Sequence, residues 1–138
     1  MSWHTVTHQL FNEVAIAQDG TAIGEWVAVK GAEGFNFWDY LTSTGAPSVA
    51  ISVDVSLFQP GATAADGTQL HDRDSSTRNN FRTIEVVAAT TTKDEWVHHD
   101  TPDELQYPIC WMRGRAVEGD VAAVDSLSVV VAVNGQRP

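Results

Sequence analysis

The sequence is poor in cysteine, in basic residues and in long apolar runs. Its one cysteine, Cys110, excludes an internal disulfide and a cysteine-based zinc site. It has 8 Lys and Arg residues against 18 Asp and Glu residues, a formal net charge of −10, which argues against a nucleic-acid partner because such binding normally needs a basic surface. No segment reaches the roughly 18 apolar residues of a membrane-spanning helix, and no basic stretch followed by an apolar run opens the chain. We therefore expect no membrane partner, and a protein made in a cytoplasm that acts there or in a particle assembled there.

Motifs of catalytic and cofactor sites are also missing. The sequence has no G-x-S-x-G elbow and no glycine-rich phosphate loop. Two clusters contain residues that commonly ligate metals: His71, Asp72 and Asp74, and His98, His99 and Asp100. In an extended segment His98 and His99 point to opposite faces, so we interpret both clusters as solvated side chains. Cys110 shares strand parity with Met112, which indicates an inert thiol in the core. The sequence thus predicts no catalytic residue, no metal, no cofactor and no enzymatic activity.

The pattern of apolar residues favours strands over helices. Val, Ala, Thr and Trp are abundant, and apolar runs at helical spacing are absent. Segments typical of strands are separated by turn residues, and they lie at residues 5–11, 14–17, 24–30, 35–42, 48–57, 81–90, 95–98, 107–117 and 127–133. We predict an all-β fold, an antiparallel β-sandwich or jelly roll of about eight strands with little or no helix. A short helix remains an option at 100–106 or 119–125.

The chain is interpreted as a single domain that is preceded by an N-terminal arm and contains one long loop. Residues 1–12 are expected to form an N-terminal extended arm, and residues 13–138 a single β-sandwich domain. Residues 60–80 are polar, rich in Gly, Asp, Ser and Thr, and lack an apolar period, so we expect a long loop there. Loops of that length in compact domains are usually functional or mobile.

Residues 34–57 carry aromatic side chains on two faces. We predict a hairpin around residues 43–47, in which alternation places the apolar side chains of both strands on one core face. Trp38 and Tyr40 then project from the opposite face, over small residues of the second strand. Asp39 shares parity with the core face, and we expect it to reach solvent near the end of the hairpin. A large apolar area over small neighbours predicts a covering partner, and we expect another subunit.

Cations cluster in two places on this acidic chain. In the late strand, Arg113 and Arg115 share a face with Trp111, and Trp and Arg are enriched at protein interfaces. Ion pairs within the chain are the alternative explanation for these arginines. The residues that we select as interface candidates are Trp3, Phe11, Trp38, Tyr40, Arg73, Arg78, Arg82, Trp111, Arg113 and Arg115.

The order of these segments resembles that of small β-sandwich virion proteins of tailed bacteriophages. The likeness rests on GEWVAV at 24–29, TGAPSVAISVDVS at 44–56 followed by a polar loop, and CWMRGRAV at 110–117 before a closing valine-rich strand. It departs from that group after the central strand, where LFQPGATAADG replaces the usual glycine and tryptophan motif. The group comprises head-decoration proteins and head–tail or tail accessory proteins.

The resemblance implies a non-catalytic structural subunit of a virion. It points to a capsid decoration or cement protein that binds the major capsid or another virion protein as an oligomer, with a trimer favoured. The competing interpretation is a carbohydrate- or ligand-binding β-sandwich module, in which Trp38, Tyr40 and Trp111 stack on sugar rings and Asp54 binds hydroxyls. An enzyme accessory domain is a third alternative.

Overall fold

The computed structural model describes residues 5–57, 81–105 and 109–135. Within these ranges the chain forms nine β-strands and no helix; the residues for which a short helix was an option, 100–105 and 119–123, form turns and irregular chain. The strands are β1 (Thr5–Ile16), β2 (Thr21–Ile23), β3 (Val27–Ala28), β4 (Gly34–Thr42), β5 (Val49–Ser56), β6 (Arg82–Thr90), β7 (Trp96–His99), β8 (Trp111–Glu118) and β9 (Val124–Asn134). Several residues considered above lie outside the described ranges: Trp3, His71, Asp72, Arg73, Asp74, Arg78 and the predicted loop 60–80.

The strands form two antiparallel sheets that enclose one core. The first sheet has the order β1-β9-β4-β7 and the second the order β2-β8-β5-β6, with β3 also paired to β8. Because β2 and β3 both pair with β8, they occupy one position, and the sandwich has four positions in each sheet. Apart from β2–β3 and β5–β6, every connection between successive strands crosses from one sheet to the other. This is the architecture of a jelly roll, and the predicted all-β sandwich is confirmed.

The core lies between the sheets and is lined by alternate residues of each strand. In β4 the side chains alternate between buried and partly exposed along all nine residues, as a strand with one buried face requires. β5 buries its odd-numbered apolar residues from the other sheet. The side chains that are at most 1% exposed are mainly aliphatic: Val29, Phe37, Leu41, Val49, Ile51, Val53, Met112, Ala116, Leu127, Val129, Val131 and Val133.

The predicted hairpin between β4 and β5 is wrong, because the two strands lie in different sheets. β4 pairs with β7 and β9, whereas β5 pairs with β6 and β8. The apolar faces were identified correctly: Phe37 and Val53 are both fully buried in the same core. They enter it from opposite sheets instead of neighbouring along one sheet. Alternation fixes which face of a strand is buried, and it leaves the identity of the neighbouring strand undetermined.

Residues 5–12 of the expected N-terminal arm belong to β1, which pairs with β9 of the same chain. Phe11 is 3% exposed and packs over Gly114 of β8. A Cβ at Gly114 would lie 2.7 Å from Phe11 Cε2, so only glycine allows this close approach between β1 and β8. Phe11 is therefore a core residue of this chain, which corrects its selection as an interface candidate.

Candidate interaction surface

The outer face of the first sheet carries four ring side chains on β4 and β7. Along β4, Trp38 and Tyr40 are partly exposed, and Asp39 between them is buried. On β7, Trp96 and His98 are exposed on the same side of the sheet, because each is paired with a ring residue of β4. We call this group the aromatic patch; it consists of Trp38, Tyr40, Trp96 and His98.

The four rings form two cross-strand pairs. Trp38 pairs with His98, with ring centroids 5.0 Å apart, and Tyr40 pairs with Trp96, with centroids 5.4 Å apart. Both separations lie in the range of favourable ring contacts. Trp96 remains 53% exposed, so the pairs hold the rings in place without removing them from solvent. The small residues that were expected beneath Trp38 and Tyr40 lie in the other sheet, and the strands on either side of these two rings are β7 and β9.

A buried polar cluster lies beneath the patch on the core side of β4 and β7. The side chain of Asp39 is fully buried, and His99 Nε2 contacts its Oδ1 atom. Thr90 Oγ1, at the end of β6, lies 3.2 Å from both carboxylate oxygens and donates to them. The expectation that Asp39 reaches solvent is therefore wrong. Thr90 and Asp39 are both buried, so the hydroxyl and the carboxylate lie out of reach of a molecule on the surface. The cluster instead fastens β7 and β6 to β4.

Arg113 and Arg115 form an ion-pair cluster with Asp54 on the outer side of the second sheet. Arg113 Nε and Arg115 Nη2 each donate to Asp54 Oδ2 at 2.8 Å, and Thr83 Oγ1 donates to Oδ1 at 2.6 Å. The side chain of Arg113 is 1% exposed and that of Arg115 is 12% exposed. The alternative of ion pairing within the chain therefore describes both arginines, and Arg113 is not available as a surface contact.

Aromatic rings and hydrogen bonds stabilise the charges in this cluster. The guanidinium of Arg113 lies 4.7 Å from the ring of Trp26 and 4.9 Å from that of Phe81, distances typical of cation–π contacts. Burial raises the pKa of Asp54, but hydrogen bonds from Arg115, Thr83 and Arg113, together with the charge of Arg115, outweigh it and hold the pKa below its ordinary value. Asp54 therefore stays ionised, as its two cationic partners require.

Glu118, a residue that the sequence did not single out, fixes the loops at one end of the sandwich. Its fully buried carboxylate accepts backbone N–H bonds from Asp19, Ser48 and Val121, which lie in three different connections. Burial raises the pKa of Glu118, but these bonds and one from Ala122 outweigh it and lower the pKa to about 2. The role of this side chain is structural.

The remaining interface candidates are placed apart from the aromatic patch. Trp111 is partly exposed at the start of β8, and Arg82 is exposed at the start of β6, so both lie in the second sheet. Arg82 lines a cleft of about 160 Å³ with Leu57 and Glu104. A second cleft, of about 400 Å³, opens between β1 and β2. The structure thus brings together Trp38 and Tyr40, and it adds Trp96 and His98, whose shared parity in EWVHH was visible in the sequence.

His98 and His99 lie on opposite faces of β7, as predicted. Among the described residues no group of three His, Cys, Asp or Glu side chains is placed to hold a metal ion. The same residues contain no helix long and apolar enough to cross a membrane. The exposed rings of the aromatic patch form a surface suited to contact with another molecule.

Comparison with known proteins identifies a fold and no family. No family model and no curated relative matches this chain. Its fold is similar to that of a chain in a structure of the infectious bursal disease virus Gx strain, with a TM-score of 0.53 and 14% identity over 100% of this chain and 35% of that one. A chain of the infectious bursal disease virus VP2 subviral particle matches with a TM-score of 0.48 and 15% identity over 96% of this chain and 33% of that one. This chain thus spans about a third of the length of each of these two chains. The similarity is one of fold, and it is to a different virus from the tailed bacteriophages of the sequence resemblance.

Proposed function

We propose that this protein is a non-catalytic structural subunit of a virus particle and contacts its neighbours through the aromatic patch. The observation that carries the proposal is a jelly roll that exposes the rings of Trp38, Tyr40, Trp96 and His98 on one sheet face. A fold match to a chain from a virus structure supports the same role. Aromatic residues are enriched at protein interfaces, and exposed groups of them on a sheet face are typical of docking surfaces.

We further propose that the subunit is a capsid decoration or cement protein that binds the major capsid protein or another virion protein. The sequence resemblance to small β-sandwich virion proteins of tailed bacteriophages supports this assignment, and so does the absence of catalytic motifs in the sequence. On this proposal the protein is located in the virion, is assembled in the host cytoplasm and forms a homo-oligomer, with a trimer favoured. Its acidic charge supports a protein partner over a nucleic acid.

A carbohydrate-binding module is the second candidate, and the exposed ring of Trp96 favours it. Beside the patch, His98 Nε2 lies 3.4 Å from Asn36 Oδ1, so polar groups that can bind hydroxyls adjoin the rings. The sugar site anticipated from the sequence does not form as a unit. Asp54 is fully buried, and Trp111 lies in the sheet opposite Trp38. A glycan site would therefore have to use the aromatic patch alone.

The test of the proposed function is to look for the protein in particles banded on a density gradient from infected cells. We expect it to band with the particles, and the purified protein to co-sediment with particles stripped of it. Trp38→Ala should reduce co-sedimentation by about tenfold. Val121→Ala, which truncates a residue 56% exposed in the β8–β9 turn, is the matched control. A protein absent from the particles and specific for a glycan would overturn the proposal.

A further inference from the structure

The aromatic patch lies between two groups of exposed carboxylates. Asp94 and Glu95 directly precede β7, and Asp100 and Asp103 follow it. All four residues are exposed, and they flank both ends of the strand that carries Trp96 and His98. A partner that covers the rings must therefore also approach these four negative charges.

The cations next to this region in the chain and on β8 neutralise it only in part. Lys93 is the cation beside it in the chain, and its Nζ atom donates to the carbonyl oxygens of Ser43 at 3.4 Å and Gly45 at 2.6 Å, in the β4–β5 connection. Arg113 and Arg115 are bound to Asp54 in the second sheet. Among the described residues that adjoin the patch in the chain, four exposed carboxylates thus outnumber one lysine, and their field favours a positively charged partner.

Resting on the proposed function, we propose that the aromatic patch docks a protein surface that presents arginine or lysine side chains. The cations would lie over the faces of Trp96 and Tyr40, and their charges would be balanced by Asp94, Glu95 and Asp100. Cations over aromatic faces attract, and carboxylates beside the rings add charge complementarity. A second copy of this chain fits the patch less well, because each copy carries a formal charge of −10 and the same carboxylates.

The experiment uses the full chain and a synthetic peptide with four arginines spaced by glycine and serine, followed by NMR at low and moderate salt. We expect the peptide to shift the indole N–H signals of Trp96 and Trp38 before other signals. The Trp96→Ala variant should bind about fivefold more weakly, the size expected for loss of an exposed cation–π contact. The matched peptide with glutamate in place of arginine should not bind.

Two triple variants with equal changes of charge separate a local from a general electrostatic effect. The first, Asp94→Asn with Glu95→Gln and Asp100→Asn, neutralises the surroundings of the patch and should weaken binding about fivefold. The second neutralises three exposed carboxylates on β1, after β2 and on β6: Glu13→Gln, Glu25→Gln and Glu85→Gln. It should bind like the parent protein.

Equal weakening in the two triple variants would overturn the proposal, as would peptide-induced shifts confined to residues away from β4 and β7. Self-association in sedimentation equilibrium that Trp96→Ala abolishes would assign the patch to a second copy and would also overturn it. So would glycan binding that Trp96→Ala abolishes and the first triple variant leaves unchanged. If the protein co-sediments with particles but does not bind the arginine peptide, the proposal of a basic partner surface is rejected. The proposed role in the virion is then unaffected.

Discussion

Arg113 Nε donates to Asp54 Oδ2 at 2.8 Å, with the first side chain 1% exposed and the second fully buried. The pair joins β8 to β5 on the outer side of the second sheet, and Arg115 adds a second cation to the same carboxylate oxygen. Two cations thus share one carboxylate in a place that water hardly reaches. Breaking a buried pair by removing one partner costs more than the pair itself contributes, because the remaining charge stays buried.

Replacing this carboxylate should destabilise the protein strongly. We expect Asp54→Asn to lower the free energy of unfolding by about 3–5 kcal/mol, because Arg113 and Arg115 lose their counter-charge. Urea unfolding at neutral pH measures the change. Glu85→Gln, an exposed neutralisation on the adjoining strand β6, is the control and should change stability by less than about 0.5 kcal/mol. If both variants lower the free energy of unfolding by the same small amount, the ion-pair cluster contributes little to stability.

Glu118 should make stability depend on acid pH. Its pKa in the folded protein is about 2, below its ordinary value of 4.5, so its stabilising contribution is complete above about pH 4.5 and is lost as the pH falls through about 2. We expect Glu118→Gln to lower the melting temperature at pH 7, and the difference from the parent protein to shrink below pH 4.5. Thermal unfolding followed by circular dichroism measures both. Asp125 is exposed on β9, and Asp125→Asn is the control, whose difference in melting temperature from the parent protein should not shrink in this way. If the difference for Glu118→Gln stays constant down to pH 2, the buried carboxylate of Glu118 does not stabilise the fold as described.

Gly114 should not tolerate a side chain. A Cβ there would lie 2.7 Å from Phe11 Cε2 and 3.1 Å from Leu10 Cβ, so we expect Gly114→Ala to lower the free energy of unfolding by about 1–3 kcal/mol. At Gly34 the nearest atom to an added Cβ is 3.7 Å away, so Gly34→Ala is the matched control and should be close to neutral. Chemical denaturation compares the two. An equal effect at both positions would contradict the close approach of β1 to β8.

The contact of His99 with Asp39 should control how firmly β7 is held. We expect His99→Ala to speed amide hydrogen exchange across Trp96–His99, because β7 loses its buried polar anchor, and to leave β9 unchanged. His98→Ala removes the outward-facing neighbour and should affect exchange in β7 less. Hydrogen exchange followed by NMR resolves both strands. Unchanged protection of β7 in His99→Ala would mean that backbone pairing with β4 is sufficient.

The sequence predicted buried faces more successfully than neighbours. Alternation placed Phe37 and Val53 in the core and Trp38 outside it, since strand parity depends on each strand alone. The pairing of β4 with β7 and β9 joins segments distant in the chain, and no local pattern specifies it. The short connection at 43–47 is equally compatible with a hairpin and with a crossing between sheets, so the hairpin prediction failed there.

The candidate surface was predicted in part for the same reason. Trp38 and Tyr40 were identified from parity, whereas Trp96 and His98 join them only through the pairing of β7 with β4. For Arg113, in contrast, strand parity led to a wrong expectation of surface exposure. Its strand parity marks it as outward-facing, yet the rings of Trp26 and Phe81 and the carboxylate of Asp54 enclose it. Parity indicates on which side of a sheet a residue lies, and it does not show what covers that side.

The pairing of β1 with β9 has a consequence for synthesis of the chain. Among the described strands of the first sheet, β1 pairs only with β9, and β9 also pairs with β4. The ribosome makes β1 before β9, so Leu10 and Phe11 stay without their neighbours in β9 until residues 124–134 have emerged. Folding dominated by such distant pairings is slow and leaves apolar segments exposed to aggregation. We therefore expect nascent chains of this protein to depend on chaperones until β9 has emerged from the ribosome.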